Sequence, residues 1–330
     1  MIRNKSGQFD FVWLFAIVAG IAILSLAIYG ASKGGDTMRF QSDTETAKKL
    51  SIIIDPLQAG FSEGSFGRIN FRQETKINNF CFEDGSFGRN MLSVSSKSGI
   101  GEEWNIPGEK IAVENKYIFS SEKNIGTLTD IDGNLVGAGS EEYYVFSKPF
   151  EFPYKVADLT FITSKGYCFI DAPEEIADEI LDMSIPNIEI DNCTSDESIK
   201  VCFDSGVDCD IRVYGLCSSN CESIYDYGTV SNGISEMNYV GNLMYAAIFS
   251  DGDIYNCNVQ RLFYRDSVIA QEFVHKADLM DARGCNTALK SDLILWKSAI
   301  GGAEPEDLSS LYSFSKNINK KNEREMCGLW

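Results

Sequence analysis

Three hydrophobic periodicities follow one another along the chain. From Phe11 to Ala31 no side chain is charged, and Leu, Ile, Val and Ala dominate. At a rise of ~1.5 Å per residue this run makes about 31 Å of helix, the thickness of a bilayer's hydrocarbon. The pattern predicts a transmembrane helix over 11–32 behind a short cytoplasmic segment, 1–10. A cleavable signal peptide has an apolar core of only about 7–15 residues, and Gly30, Ala31 and Ser32 make a mediocre cleavage site. Trp13 and Tyr29 stand where interfacial aromatics stand. The run therefore reads as an anchor.

Gly34-Gly35 breaks the pattern. Beyond it Phe40, Ala47, Leu50, Ile54 and Leu57 recur at helical spacing, with Asp43, Thr44 and Glu45 as a start signal. This predicts an amphipathic stalk helix within 36–57 that carries on from the anchor, lays an apolar stripe on the folded domain and is closed by Asp55-Pro56. Residues 58–256 then read as β-rich. RINFRQETKI, NKYIFSS, EEYYVFSKPFEF, ADLTFITS and GYCFIDA are β-branched and aromatic runs cut by Gly, Asp and Pro. PEEIADEILDM interrupts them as a helix with Pro173 at its first position. Hairpins are expected around Asp204-Ser205-Gly206 and around Asp251-Gly252.

From 257 to 330 the period returns to 3.6. Val259, Leu262, Ile269, Phe273, Ala277 and Met280 form one face, stopped by Gly284, and Leu289, Leu293, Trp296 and Ile300 form the next. A third helix starts at Pro305 with acids in its first turn and ends among Lys316, Lys320, Lys321 and Arg324. The fold class is α+β: a transmembrane helix, a β-rich disulfide-bearing ectodomain and an α-helical C-terminal region.

Charge and cysteines supply the location. The net charge is −19, and residues 1–35 carry +2 of it, so the remainder carries −21. Such a domain is repelled by nucleic acid, and the partners to expect are lipid through 11–32 and a protein partner or a second copy of the chain. Arg3 and Lys5 before the apolar run nearly balance Lys33 and Arg39 after it, so charge leaves the orientation open. All ten cysteines, Cys81, Cys168, Cys193, Cys202, Cys209, Cys217, Cys221, Cys257, Cys285 and Cys327, lie on the C-terminal side. An even, one-sided set points to an oxidising compartment and an ectodomain outside the cell membrane. The spacings contain no Cys-x-x-Cys knuckle, which favours disulfides over structural zinc or unpaired thiols. Pairing is open among 945 combinations, with Cys257–Cys285 an attractive bracket around the first C-terminal helix.

Catalytic patterns are sparse. The single histidine, His275, sits within a helical pattern and reads as a surface residue, and no Gly-x-Ser-x-Gly elbow accompanies it. FSEGSFGR at 61–68 recurs as FEDGSFGR at 82–89 without a Walker or dinucleotide pattern, so the pair reads as two equivalent turns between strands. DIDGN at 130–134 and DGD at 251–253 offer oxygens for calcium and are also ordinary turns. Glu174, Glu175, Asp178 and Glu179 read as a solvated helix face. Asn192-Cys193-Thr194 is an N-glycosylation acceptor by pattern. These patterns imply no cofactor.

The N-terminus resembles an archaeal type IV prepilin (class III) signal. In that family a basic segment ends in Gly, Gln opens the mature protein and an apolar helix follows; Lys5, Gly7 and Gln8 match those roles. The resemblance implies processing after Gly7. The family's serine at the third mature position is Asp10 here, and its glutamate at the fifth is Val12. The rest resembles single-pass archaeal membrane surface proteins with a cysteine-bearing ectodomain. Three functions follow: a membrane-anchored surface protein with a structural or partner-binding role, a pilin-like subunit processed after Gly7, or a surface hydrolase without the standard motifs.

Overall fold

The computed structural model describes residues 11–60, 66–84, 87–97, 104, 106–120, 140–193, 195, 198–204, 209–218 and 221–330. Its first element, α1 (Phe11–Gly60), is one helix of 50 residues, about 75 Å long. The expected break at Gly34-Gly35 and the expected stop at Asp55-Pro56 are both absent. Glycine lowers helix propensity by about 1 kcal/mol without forbidding the conformation. A proline removes one backbone hydrogen bond, and the helix ends a turn later.

Sheet one orders its strands β3-β2-β1-β5-β6-β4. These are β1 (Phe66–Phe82), β2 (Arg89–Ser96), β3 (Ile111–Glu114), β4 (Tyr117–Ser120), β5 (Ser140–Glu151) and β6 (Lys155–Thr163). The pairs are antiparallel except β4 with β6, which is parallel. Period-two alternation splits its side chains between two cores. Tyr143, Val145, Ile118 and Ile162 join Ala47, Leu50 and Ile54 of α1 on one side. Tyr144, Phe146, Tyr117, Phe119 and Phe161 join the larger core, shared with sheet two and the C-terminal helices, on the other. Both faces are covered, which is why these strands read as nearly continuous apolar runs.

The sheet also curls. The Ile118 carbonyl on edge strand β4 accepts from Asn79 Nδ2 of β1 at 2.8 Å and from Asn90 Nδ2 of β2 at 3.4 Å. Asn258 Nδ2 reaches the same oxygen at 2.9 Å, from α4 (Gly252–Asp281). Arg261, one turn further on, donates to Asn90 Oδ1 (2.6 Å), Asn258 Oδ1 (2.7 Å), Lys116 O (2.9 Å) and Phe87 O (3.0 Å). Its guanidinium lies 4.7 Å from the centre of the Tyr117 ring. Cys81–Cys257 ties β1 to α4 beside this network. Gly88, at φ +55°, stands against Arg261, where a Cβ would fall 2.8 Å from Cδ and Nε.

Sheet two orders β12-β11-β10-β9-β7-β8, with β7 (Tyr167–Ile170), β8 (Ile188–Ile190), β9 (Ile199–Phe203), β10 (Ile211–Gly215), β11 (Tyr227–Ser231) and β12 (Glu236–Val240). α2 (Glu174–Met183) makes the crossover from β7 to its parallel neighbour β8. The hairpin expected at Asp204-Ser205-Gly206 is absent, because β9 and β10 pair in parallel. A parallel link this short needs a restraint, and Cys202–Cys209 pins the returning loop to β9. Cys168–Cys193 does the same for the loop after β8. Register places Cys168, Lys200, Cys202 and Arg212 on one face, opposite Phe169, Val201 and Val213. The helices put their buried side chains on that opposite face, in the inner core. The two bridges therefore cover part of a parallel sheet where α/β proteins place helices.

The second expected hairpin is also absent. Leu243–Ile248 forms helix α3, and Asp251 caps α4 by accepting from Ile254 N at 3.0 Å. Leu, Met and Ala favour helix, and Asp-Gly-Asp supplies a good N-cap. α4 begins at Gly252, before the periodicity is evident. α5 (Leu289–Gly301) and α6 (Leu308–Arg324) follow, and Leu289, Leu293, Trp296 and Ile300 are fully buried. In α4 the expected face is only partly right: Ile269, Phe273 and Met280 are half-buried, and Arg261 and Asp266 lie in the core.

Truncation of Leu50, which is buried between α1 and sheet one, removes packing on which the curled sheet rests. Leu50→Ala is expected to cost about 2–5 kcal/mol in denaturant titration of the full chain, whereas Lys49→Ala, on the exposed face, is expected to change stability by under about 0.5 kcal/mol.

Candidate functional site

Among the described residues the most extensive exposed apolar surface is on α1. Val12, Trp13, Phe15, Ile21, Leu24 and Leu26 are 62–76% exposed. A contiguous apolar surface of this kind marks a membrane or protein contact. α1 is one helix among the described residues long and apolar enough to cross a membrane. Its other half has the opposite character. Asp43 Oδ1 accepts from Ser96 Oγ at 2.7 Å, and Asp43 Oδ2 accepts from Ser96 N at 3.2 Å. Thr44 Oγ1 accepts from Glu109 N at 3.0 Å. Gly108 packs so closely that a Cβ there would lie 2.6 Å from Thr44 N. The same helix thus leaves one half bare and locks the other into the fold.

All ten cysteines form bridges: Cys81–Cys257, Cys168–Cys193, Cys202–Cys209, Cys217–Cys221 and Cys285–Cys327. The expected Cys257–Cys285 pairing is wrong, for a geometric reason. From Cys257 to Asp281 the intervening helix spans about 36 Å, whereas a bridge needs Cα atoms within about 7 Å. Cys285 instead holds Cys327 and so ties down the C-terminal tail. Cys217, Cys221 and Asp226 lie within 4.8 Å of one another, but the two sulfurs are joined to each other and offer no thiolate.

The other candidate residues are scattered. Gly7, Gln8 and the DIDGN turn lie outside the described residues. Asn192 is exposed, next to bridged Cys193. His275 is exposed on α4 and shares a hydrogen bond with Gln271 at 2.8 Å. Asp251 is a helix cap. The two SFGR copies are not equivalent: Gly67 and Arg68 lie within β1, whereas Gly88 lies in the turn before β2.

One polar cluster escaped the sequence reading. A cleft of about 430 Å³ between β5, α2 and the start of α3 is lined by Lys148, Pro149, Glu179, Asp182, Met183 and Asn242. Lys148 is 8% exposed. Its ammonium pairs with Glu179, whose second oxygen accepts from Tyr245 Oη. Burial, then the Glu179 charge, raise the Tyr245 phenol well above its ordinary range. Glu174, Glu175 and Asp178 are exposed as expected, but Glu179 is half-buried and belongs to this clasp. Lys148 carries no sequence signal beyond one charge in an apolar strand. A buried charge that is ion-paired and hydrogen-bonded can hold elements in register, and here it joins one strand to two helices. Smaller clefts of about 190 and 160 Å³ lie beside Asp226–Tyr312 and beside Arg261.

Two ionisable groups lie deeper still. Burial lowers the Arg261 guanidinium to about 10, still charged at neutral pH. Asp266 is fully buried and accepts from Trp296 Nε1 at 3.0 Å. Burial raises its carboxyl to about 8 against the opposing hydrogen bonds, so it is largely protonated in the fold at neutral pH.

Asp266 makes stability depend on pH with a definite sign. The folded state holds its proton up to about pH 8, while the unfolded state releases it near pH 4. Its contribution is complete below pH 4 and is lost as pH rises to about 8, a change on the order of 5 kcal/mol. Asp266→Asn preserves the acceptor for Trp296 and is expected to flatten this part of the pH–stability profile, read by urea titration. No family model, curated protein or solved structure matches the chain.

Proposed function

We propose that this chain is a membrane-anchored surface protein whose ectodomain stands outside the cell membrane and serves a structural or partner-binding role. The carrying observation is the division of α1: the side chains of residues 12–31 are uncharged and, half-covered Ala19 apart, exposed, and Asp43, Thr44, Ala47, Leu50 and Ile54 are buried in the ectodomain. Lipid is the natural cover for the first half. The five bridges support an oxidising compartment for the second. The −21 charge of the ectodomain favours a cationic or basic partner over nucleic acid.

The pilin-like reading, with processing after Gly7, is the second. It is favoured by the continuity of α1 through residues 34 and 35, which gives an apolar rod able to pack among copies of itself. Asp10 and Val12 depart from the family pattern.

Membrane pellets washed in alkaline carbonate are expected to retain the protein, and the intact mass is expected to include Met1. A mature chain starting at Gln8 would favour the pilin-like reading. Native protein treated with an alkylating reagent is expected to show no modified cysteine before reduction. Ten alkylated thiols would remove the bridges and with them the argument for an outside ectodomain.

A further inference from the structure

Asn192-Cys193-Thr194 is the one Asn-x-Ser/Thr triplet in residues 11–330, and neither the anchor nor the Lys148 clasp makes use of it. The fold sets its acceptor in an open place. β8, the edge strand of sheet two, ends at Ile190. Asp191 then takes a left-handed φ of +58°, and Asn192 N donates to Ile190 O at 2.6 Å, closing a three-residue turn. Asp191 is itself held: its N–H donates to Phe169 O at 2.8 Å, and its Oδ1 accepts from Asp171 N at 3.0 Å. On the other side Cys193 is bridged to Cys168 of β7. The backbone around Asn192 is thus fixed, while its side chain is exposed and makes no hydrogen bond among the described residues.

That sets it apart from other asparagines of the fold. Asn79, Asn90 and Asn258 seal the seam of sheet one, Asn242 holds the Pro149 carbonyl and Asn322 the Trp330 carbonyl. Packing and hydrogen bonding give no reason for asparagine at 192. The triplet and the bridge do not compete in the folded chain. The amide and the hydroxyl belong to the outer two residues, and the bridge takes only the middle side chain, where the pattern excludes proline alone. Thr194 itself lies outside the described residues.

We propose that Asn192 carries an N-linked saccharide, added on the outer side of the membrane. It rests on the reading that the ectodomain stands outside. The donor is a saccharide carried on a polyprenyl phosphate or diphosphate. Asn192 Nδ2 attacks its anomeric carbon and the C–N bond forms. The bond from that carbon to the phosphate oxygen breaks, the lipid phosphate leaves with the electron pair, and the amide nitrogen gives up one proton to it. A bulky hydrated group at the end of β8 keeps other chains away from that edge of sheet two and leaves partner contact to other faces.

The test uses the protein purified from the cells that make it, reduced and digested with trypsin. Peptide 166–200 contains the triplet and one other asparagine, Asn187. Mass spectrometry is expected to find this peptide heavier by a saccharide, with fragmentation placing the mass on residue 192. Asn192→Gln and Thr194→Ala are each expected to abolish it, and Thr194→Ser to keep it. An unmodified peptide in the unaltered protein, or an added mass that survives Asn192→Gln, would overturn the proposal. A membrane-impermeant amine reagent applied to intact cells reports separately on the reading beneath it. Lys49 and Lys320 are exposed, and their labelling supports an outside ectodomain whatever the mass of the peptide. If neither reacts until the cells are opened, the outside reading fails.

Discussion

Sheet one cannot bury its concave face without the C-terminal half of α1. Ala47, Leu50 and Ile54 are the helix's contribution to that core, and Ile77, Leu92, Val94, Val113, Ile118, Tyr143, Val145 and Ile162 surround them. The remaining constraints follow from this. Because the helix is part of the core, whatever holds its first half is coupled to the folding of sheet one. Because the sheet must curl to enclose the helix, edge strand β4 returns toward β1 and β2. That seam is sealed by side chains in place of a strand ladder. Asn79, Asn90 and Asn258 share the Ile118 carbonyl, and Arg261 supplies the donors that complete Asn90, Asn258 and the neighbouring carbonyls. A buried network of this kind specifies one arrangement only when it is satisfied.

The bridges answer a different need. Among the described residues of the loops after β8 and β9 there is no helix to cover the outer face of the parallel strands. Cys168–Cys193 and Cys202–Cys209 fasten those loops over it. Disulfides act mainly on the unfolded ensemble, but here they also set where the loops lie. Cys81–Cys257 and Cys285–Cys327 join segments 176 and 42 residues apart, linking β1 to α4 and α4's end to the tail. The bridges thereby join parts of the fold that are far apart in the chain.

Much of this was legible in the residues, and the failures share a cause. Long periodic segments spoke for themselves: the apolar run of α1, the β-branched strands of sheet one, and Leu289, Leu293, Trp296 and Ile300 on α5. Local punctuation misled. Gly34-Gly35 looked like a break because glycine is weak in helices, yet glycine lowers helix propensity without forbidding the helix, and α1 runs through both. Asp204-Ser205-Gly206 looked like a hairpin because parallel pairing across so short a link requires a bridge whose partner the spacing does not name. Leu243–Ile248 looked like a strand because apolar runs of that length fit either element. The Lys148–Glu179–Tyr245 clasp joins residues 31 and 66 positions apart, a juxtaposition made by tertiary structure alone.

Hydrogen exchange on the full chain in nanodiscs tests the central claim, that one helix serves both bilayer and core, most directly. The account predicts two protected blocks in α1, 12–31 shielded by lipid and 43–54 shielded by sheet one, with fast exchange at 33–42 between them. Exchange at 12–31 as fast as at 33–42, with 43–54 still protected, would contradict it.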